Sequence, residues 1–290
     1  LVAYTPVATD PDVGAALTYS LQNSGDYRLF NIDSATGVVT FKVAPNFESP
    51  TDRGSNNVYD INVIASDGNV TTTQAVAITV QNVNEAPVIS ATASASVFEN
   101  ATVAYTPVAA TDVDANTTLT YSLSGADAAL FNIDASSGVV TFKVAPNYEA
   151  PGDAGTDNVY NINVVASDGA LTATQAVAIT VQNVNEAPVI SATASASVFE
   201  NSTVAYTPVA ATDPDAGTTL SYSLSGADAA LFNIDSSTGV VTFKAAPNYE
   251  SPTDAGTNNV YDINVIASDG SLTASKAVAI TVTNVNDNPV

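Results

Sequence analysis

The chain has 290 residues, enough for about two or three domains, and 46% of them are apolar, so each domain can bury a core. Acidic residues number 29 against 6 basic ones, a net charge of −23, which excludes nucleic acid and anionic membranes as natural partners because the electrostatic term opposes both. Cys, His, Met and Trp are absent, which excludes disulfides, thiolate and imidazole metal sites, and Cys/His or Ser/His/Asp catalysis.

The chain opens at Leu1 inside a recurring pattern and reads as a piece of something longer, with no signal peptide, anchor or bilayer-spanning apolar run in view. Tyr4-Thr5-Pro6-Val7 returns at Tyr105 and Tyr206, Phe30-Asn31-Ile32-Asp33 at Phe131 and Phe232, and Ala65-Ser66-Asp67-Gly68 at Ala166 and Ala267. The spacing of 101 residues is too long for a solenoid unit, so each repeat is a domain. The 26 letters of Ala75–Asn100 recur unchanged as Ala176–Asn201. Each copy begins as an alternating strand, breaks at Asn-Val-Asn-Glu-Ala-Pro, and resumes as a strand ending in Phe-Glu-Asn. That is the pattern of a joint between two β domains. Boundaries near Pro87 and Pro188 give repeats at 1–86, 87–187 and 188–290, the first lacking the counterpart of Ala86–Ala101.

Within repeat two the alternation predicts seven strands: Ile89–Val97, Thr102–Ala109, Thr118–Leu123, Leu130–Ile133, Gly138–Val144, Val159–Ala166 and Ala173–Val181. Turn signals such as Asp-Ala-Asn and Ser-Asp-Gly separate them, and no segment has helical periodicity. Seven short strands in about 100 residues predict a two-sheet antiparallel sandwich. First and last strands leaving from opposite ends would stack the repeats as an elongated rod.

Four acidic groups recur in register. They are Glu99 and Glu200 in Phe-Glu-Asn; Glu48, Glu149 and Glu250 in Pro-Asn-Phe/Tyr-Glu; Asp10/Asp12, Asp112/Asp114 and Asp213/Asp215 in Asp-x-Asp; and Asp67, Asp168 and Asp269 in Ser-Asp-Gly. The joints add Asn84-Glu85, Asn185-Glu186 and Asn286-Asp287-Asn288. Singly, each has an ordinary reading as turn chemistry. Together they are uncompensated carboxylates, which repel unless a cation sits among them. Hard oxygen donors without His or Cys select calcium over transition metals, and a flexible multi-carboxylate site favours it over magnesium.

These motifs, in this order and over the whole chain, resemble tandem cadherin repeats of the kind found in large bacterial surface adhesins. Asn183-Val184-Asn185-Glu186-Ala187-Pro188 and Asn284-Val285-Asn286-Asp287-Asn288-Pro289 match the family linker, Glu99 and Glu200 its first-strand Glu, Pro146-Asn147-Tyr148-Glu149 its Leu-Asp-Arg-Glu, Asp213-Pro214-Asp215 its Asp-x-Asp, and Asp269 its later Asp. The resemblance implies an all-β chain of three tandem seven-stranded Greek-key sandwiches, with two or three Ca2+ ions at each joint. The second joint would use Glu99, Glu149, Asn185, Glu186, the Ala187 carbonyl, Asp213, Asp215 and Asp269. The first would use Glu48, Asn84, Glu85, the Ala86 carbonyl, Asp112, Asp114 and Asp168, and would be weaker because its first-strand Glu is missing. Half-sites would remain at Asp10, Asp12 and Asp67 and at Glu200, Glu250, Asn286, Asp287 and Asn288.

Some positions depart from the family. Asn46, Asn147 and Asn248 replace an Asp ligand, Glu85 and Glu186 replace a shorter Asp, and the Trp of strand-exchanging adhesive cadherins is absent. Lys42, Lys143 and Lys244 recur on the fifth strand as an outward charge. The Asn-x-Thr matches at Asn69, Asn100, Asn116 and Asn201 carry little weight in an Asn/Thr-rich chain. The expected role is a calcium-stiffened extender of a secreted or cell-surface, bacterial adhesin, not an enzyme. Three beads of about 33 Å each would reach roughly 100–120 Å. Its partners would be neighbouring repeats of the same chain. The alternatives are direct homophilic adhesion, or polysaccharide binding through Tyr105, Tyr148 or Tyr249.

Overall fold

A computed structural model describes all residues except 13, 91, 92, 108, 192, 208, 209 and 288–290. It is all-β: twenty strands and three single-turn 3₁₀ helices, with no α-helix among the described residues. The first repeat holds β1 (Val2–Tyr4), β2 (Thr18–Leu21), β3 (Phe30–Ile32), β4 (Val39–Phe41), β5 (Val58–Ser66) and β6 (Thr71–Thr79). The second holds β7 (Ser94–Phe98), β8 (Val103–Tyr105), β9 (Thr120–Ser124), β10 (Phe131–Ile133), β11 (Val140–Phe142), β12 (Val159–Ser167) and β13 (Thr172–Gln182). The third holds β14 (Ser195–Phe199), β15 (Val204–Tyr206), β16 (Ser221–Ser225), β17 (Phe232–Ile234), β18 (Val241–Phe243), β19 (Val260–Ser268) and β20 (Thr273–Thr283).

The chain divides into two compact units, and the division runs through the second repeat rather than through either joint. One unit comprises Leu1–Ala95, Val103–Lys143 and Asn161–Ala178, and the other Ser96–Thr102, Val144–Tyr160 and Ile179–Val290. Each joint therefore lies inside one unit.

In the unit that contains the third repeat, the sheets are β14-β20-β19-β16 and β15-β18-β17. Alternation dictates the faces. In β19 the residues Tyr261, Ile263, Val265 and Ala267 point inward, and in β20 Val278, Ile280 and Val282 do, each at most 2% exposed. They meet Tyr206, Phe232, Val241 and Phe243 of the facing sheet in one core. The Phe232 and Phe243 rings lie 4.7 Å apart, and Tyr261 meets both edge-on at 5.8 and 5.4 Å. Such pairs contribute about 0.5–1.5 kcal/mol each beyond their burial.

The third repeat departs from an all-antiparallel sandwich at one place: β14 joins β20 in parallel, from Ser195 opposite Ala279 to Phe199 opposite Thr283. A chain that enters a sandwich at one pole and leaves at the other must run its first and last strands the same way. Of the expected first strand Ile89–Val97, residues 91 and 92 lie outside the described residues; the described pairing runs over Ser94–Phe98, and Val88 makes an isolated bridge to Thr111.

In the unit that contains the first repeat, the sheets are β1-β4-β3 and β2-β5-β6, around Phe30, Val39, Tyr59, Ile61 and Val63. The same unit holds β10-β11-β8, with Phe131 and Phe142 4.7 Å apart.

Two sequence readings change. Lys42, Lys143 and Lys244 lie one residue beyond their strands, and each Nζ donates to a carbonyl of the 3₁₀ turn (Arg28, Ala129, Ala230) at 2.7 Å. They close helix C-termini, where free carbonyls favour a cation. Three of the four Asn-x-Thr asparagines, Asn100, Asn116 and Asn201, adopt φ of +62°, +66° and +65°. Asn tolerates this left-handed conformation, and Gly217 fills the matching turn of the third repeat at +85°.

Candidate metal centres

The joint Asn-Val-Asn-Glu lacks the alternation of a strand, and its residues belong to no strand. What positions it is side-chain chemistry. At the second joint Asn183 Nδ2 donates to Asp215 Oδ1 at 2.6 Å, the Glu186 amide donates to Asp215 Oδ2 at 2.9 Å, and Asn185 Nδ2 donates to Asp269 Oδ2 at 2.8 Å. The first joint repeats this with Asn82 to Asp114 (2.6 Å), the Glu85 amide to Asp114 (2.9 Å) and Asn84 to Asp168 (2.7 Å). Sequence reading had not assigned Asn82 and Asn183 a role. Their register recurrence one residue before Val83 and Val184 was the available signal.

The Asp residues divide their two oxygens between turn and joint. Asp168 Oδ1 accepts the Ala170 and Leu171 amides at 2.6 Å each, shaping the hairpin, while Oδ2 takes Asn84. Asp269 does the same with Ser271 and Leu272. These bonds favour the ionised form. They hold Asp168 below the usual range, chiefly through Leu171, and Asp269 chiefly through Asn185. Asp112 Oδ1 accepts the Asp114 amide at 2.8 Å and Asp213 Oδ1 the Asp215 amide at 3.0 Å. The remaining oxygens, Asp112 Oδ2 and Asp213 Oδ2, are buried without a partner among the described residues.

Glutamates complete the clusters. Glu99 sits just past β7 and is 3% exposed. It accepts the Tyr148 amide at 3.1 Å and the Val184 amide at 2.8 Å, tying two loops together. Oxygens of Glu99, Glu149 and Glu186 lie within 4.8 Å of one another. Glu149 Oε2 and Glu186 Oε2 are buried and unpartnered. Burial raises the Glu186 carboxyl above its ordinary value, and Glu99, Glu149 and Asp215 raise it further. At the first joint Glu48, Glu85 and Asp114 form the equivalent triple. Glu85 is raised by loss of water around its carboxyl, then by Glu48, Asp114 and Asp112.

A third triple, Glu200, Glu250 and Asp287, lies at the far end. Here the Tyr249 and Val285 amides, at 3.0 and 2.7 Å, hold Glu200 below its ordinary range. Asn286 is exposed, and Asn288 lies outside the described residues. Asp10, Asp12 and Asp67 line one cavity at the opposite end of the first repeat. Ala86 and Ala187 are exposed. Asn46, Asn147 and Asn248 spend their side-chain oxygens on the Glu48, Ala150 and Ser251 amides. Tyr105 is 5% exposed, so it cannot serve as the surface platform considered for polysaccharide; Tyr148 and Tyr249, at 39% and 37%, remain open.

Hard oxygens converge at the joints, several of them buried without a donor among the described residues. That donor set suits an oxygen-seeking divalent cation of calcium's size.

Comparison with known proteins agrees with the geometry. The Cadherin domain family matches residues 93–182. Human Protocadherin Fat 1 is 33% identical over 97% of this chain, which spans 6% of that protein. The Drosophila protocadherin-like wing polarity protein stan is 31% identical over 97% of the chain, covering 8% of that protein. In fold, the chain is similar to protocadherin gamma B2 extracellular cadherin domains 1–5, with TM-score 0.63 and 23% identity over 99% of this chain and 57% of that one. It is also similar to mouse cadherin-23 EC22–24, with TM-score 0.57 and 22% identity over 98% and 93%.

Proposed function

We propose a function from the premise that the chain is a set of about three tandem cadherin repeats, a part of the adhesion-protein family and not an enzyme. Cadherin domains bind calcium as a class. We infer that this chain does so at its two joints, with two or three ions each, and that calcium turns flexible joints into stiff ones. The residues are those gathered above: Glu99, Glu149, Asn185, Glu186, the Ala187 carbonyl, Asp213, Asp215 and Asp269 at the second joint, and Glu48, Asn84, Glu85, the Ala86 carbonyl, Asp112, Asp114 and Asp168 at the first. Repeat boundaries at 86/87 and 187/188 place each Asn-Val-Asn-Glu-Ala at the end of a repeat.

The observation that carries the reading is the set of buried, unpartnered oxygens on Asp112, Asp213, Glu149 and Glu186. A buried acceptor left without a donor is unfavourable, and Glu149 and Glu186 lie beside other carboxylates, while Asp112 acts on Glu85. A divalent cation supplies positive charge and coordination to all of them. In the protein's own chemistry, Glu99 and the paired Asp residues orient the set, while Asn82, Asn84, Asn183 and Asn185 hold the two sides of each joint in register.

The role is then an extracellular spacer that presents other domains, with neighbouring repeats as its first partners. The similar curated proteins named above are animal proteins, and the spacer reading rests on the joints rather than on a bacterial source. Small-angle scattering with calcium and with chelator tests it. Calcium should narrow the distribution of interatomic distances; an unchanged profile removes the mechanism.

A further inference from the structure

Each repeat carries its Pro-Asn-Phe/Tyr-Glu glutamate on a short loop, and fastens that loop in the same way. In the second repeat the loop covers residues 146–150. The Pro146 carbonyl accepts the Asn100 amide at 2.9 Å, the Tyr148 amide goes to Glu99, and Asn147 Oδ1 takes the Ala150 amide at 2.6 Å. The Tyr148 carbonyl has a holder of its own: Asn158 Nδ2 donates to it at 2.8 Å. Asn158 is itself fixed. Its amide donates to Asp153 Oδ1 at 3.1 Å, and its carbonyl accepts the Val181 amide of β13 at 2.9 Å. Asn57 and Asn259 repeat the arrangement, with Nδ2 on the Phe47 carbonyl at 2.8 Å and on the Tyr249 carbonyl at 2.9 Å, one residue before Glu48 and Glu250. This asparagine is unfavourable in two respects. Its backbone is left-handed, with φ of +62° at Asn57 and Asn158 and +63° at Asn259, and its Oδ1 is buried without a partner among the described residues in all three repeats. Glycine would relieve both. Around it the repeats vary: Arg53, Ala154 and Ala255 share one position, Ser55, Thr156 and Thr257 another, and Asn56, Asp157 and Asn258 a third. What glycine would lack is the Nδ2 donor.

We propose that Asn158, and with it Asn57 and Asn259, is a positioning residue of the metal centres: it holds the carbonyl next to Glu149, Glu48 or Glu250 and so presents that glutamate to the incoming calcium ion, acting through the glutamate rather than on the ion. This role rests on the calcium reading above and brings in residues outside it. The Tyr148 carbonyl belongs to the planar peptide that leads into Glu149, so fixing it fixes the direction in which the Glu149 side chain leaves the backbone. Oxygens of Glu99, Glu149 and Glu186 lie within 4.8 Å of one another, and Glu149 Oε2 is buried without a partner among the described residues. Carboxylates that close repel, and the repulsion drives the Glu149 loop outward when no ion is bound. The Asn158 bond opposes that movement, which leaves less of the loop to be ordered when the ion arrives. A residue that orients a metal ligand without touching the metal contributes about 10- to 100-fold in affinity.

The full 290-residue chain is to be compared with Asn158→Gly and Asn158→Asp. Gly accepts the left-handed backbone and Asp keeps the side-chain volume, and neither Gly nor an ionised Asp can donate to the Tyr148 carbonyl. In chelator, hydrogen exchange of the Tyr148 and Ala150 amides should quicken by about tenfold or more in both variants. The amides of β12 and β13 should keep their protection, which shows the sandwich folded. A calcium titration followed by the NMR resonances of each joint then reads two affinities. Both variants should weaken the second joint by about tenfold or more and leave the first, served by Asn57, unchanged. Asn158→Asp adds a negative charge next to the Glu149 loop, which by itself would tighten calcium binding, so weaker binding by that variant separates loss of the hold from electrostatics. Asn57→Gly, in the other compact unit, should weaken the first joint and spare the second. Parent-like calcium affinity at the second joint in both variants overturns the proposal, as does equal weakening of the two joints by Asn158→Gly or unchanged exchange in chelator. Each of these leaves the calcium reading standing. A parent chain that binds no calcium at either joint overturns that reading and the proposal with it.

Discussion

At the scale of single residues, an Asp in Asp-x-Asp or Ser-Asp-Gly can be turn chemistry or a ligand, and Asp112, Asp168, Asp213 and Asp269 each give one oxygen to the local turn. The second oxygen of Asp168 and Asp269 accepts from a joint asparagine, and that of Asp112 and Asp213 is buried without a partner among the described residues. Glu186 is opposed by its neighbours. Its raised carboxyl means that, without metal, its ionised form destabilises the fold. The penalty is full above the raised value and is lifted as pH falls through it toward the ordinary glutamate value of about 4.3. In chelator, Glu186→Gln should therefore raise the thermal midpoint at pH 7, and mild acidification should raise that of the parent chain. In calcium the same substitution should weaken binding by about tenfold, read by titration calorimetry. A substitution that lowers stability in chelator would show that repulsion is not what governs this carboxyl. Asp235 has the opposite sign. The Ser237 hydroxyl, at 2.6 Å, and then the Thr238 amide hold it down to about 2. Its contribution is complete above the ordinary Asp value of about 3.9 and is lost as pH falls from there toward about 2. Asp235→Ala should flatten the acid limb of the stability profile across that window.

At the scale of elements, the strands that alternate cleanly were legible, and those held by other means were not. Tyr160, Ile162, Val164 and Ala166 face the core as their spacing requires, and so do Val177, Ile179 and Val181. In the first strand the alternation of Ile89–Val97 holds as a ladder over Ser94–Phe98, with residues 91 and 92 outside the described residues. The joints were legible as punctuation and as oxygen donors. The pairing of Asn82 with Asp114 was not, because it depends on which loops the topology brings together over 32 residues. Another long-range device was invisible for the same reason. Asp228, 3% exposed before the third 3₁₀ turn, makes no cap of its own helix. It accepts the Ala255 amide at 2.7 Å and the Asp262 amide at 2.7 Å, stapling a loop and β19 to the turn. Asp228→Ala strands both donors and should destabilise the third repeat by about 2–3 kcal/mol in urea unfolding. A loss below about 0.5 kcal/mol would show that water replaces the carboxylate at little cost.

At the scale of the whole molecule, the proposed function makes each joint a separate equilibrium with its own ligands. Calcium can shift a joint from flexible to stiff only by as much as it binds the stiff form more tightly. Near-complete conversion from about 1:99 to 99:1 requires roughly a 10⁴-fold preference. A preference of that size needs ligands from both sides of the joint, since ligands on one side bind equally in both forms. Asp213 and Asp215 belong to the far side of the second joint, and Glu186 to the near side. Replacing both aspartates with Asn keeps the volume and the turn geometry while removing two charges, and it leaves one acceptor where Asp215 offers two, to Asn183 and to the Glu186 amide. The double variant should lose calcium-dependent stiffening at the second joint. It should leave the first, built from Glu48, Glu85, Asp112, Asp114 and Asp168, as it was. Spin-label pairs placed across each joint in turn read the two distance distributions separately. In calcium the second should stay broad and the first should narrow as in the parent chain. Broadening of both by the same amount would mean that the joints are not independent, and that the assignment of ligands to each of them fails.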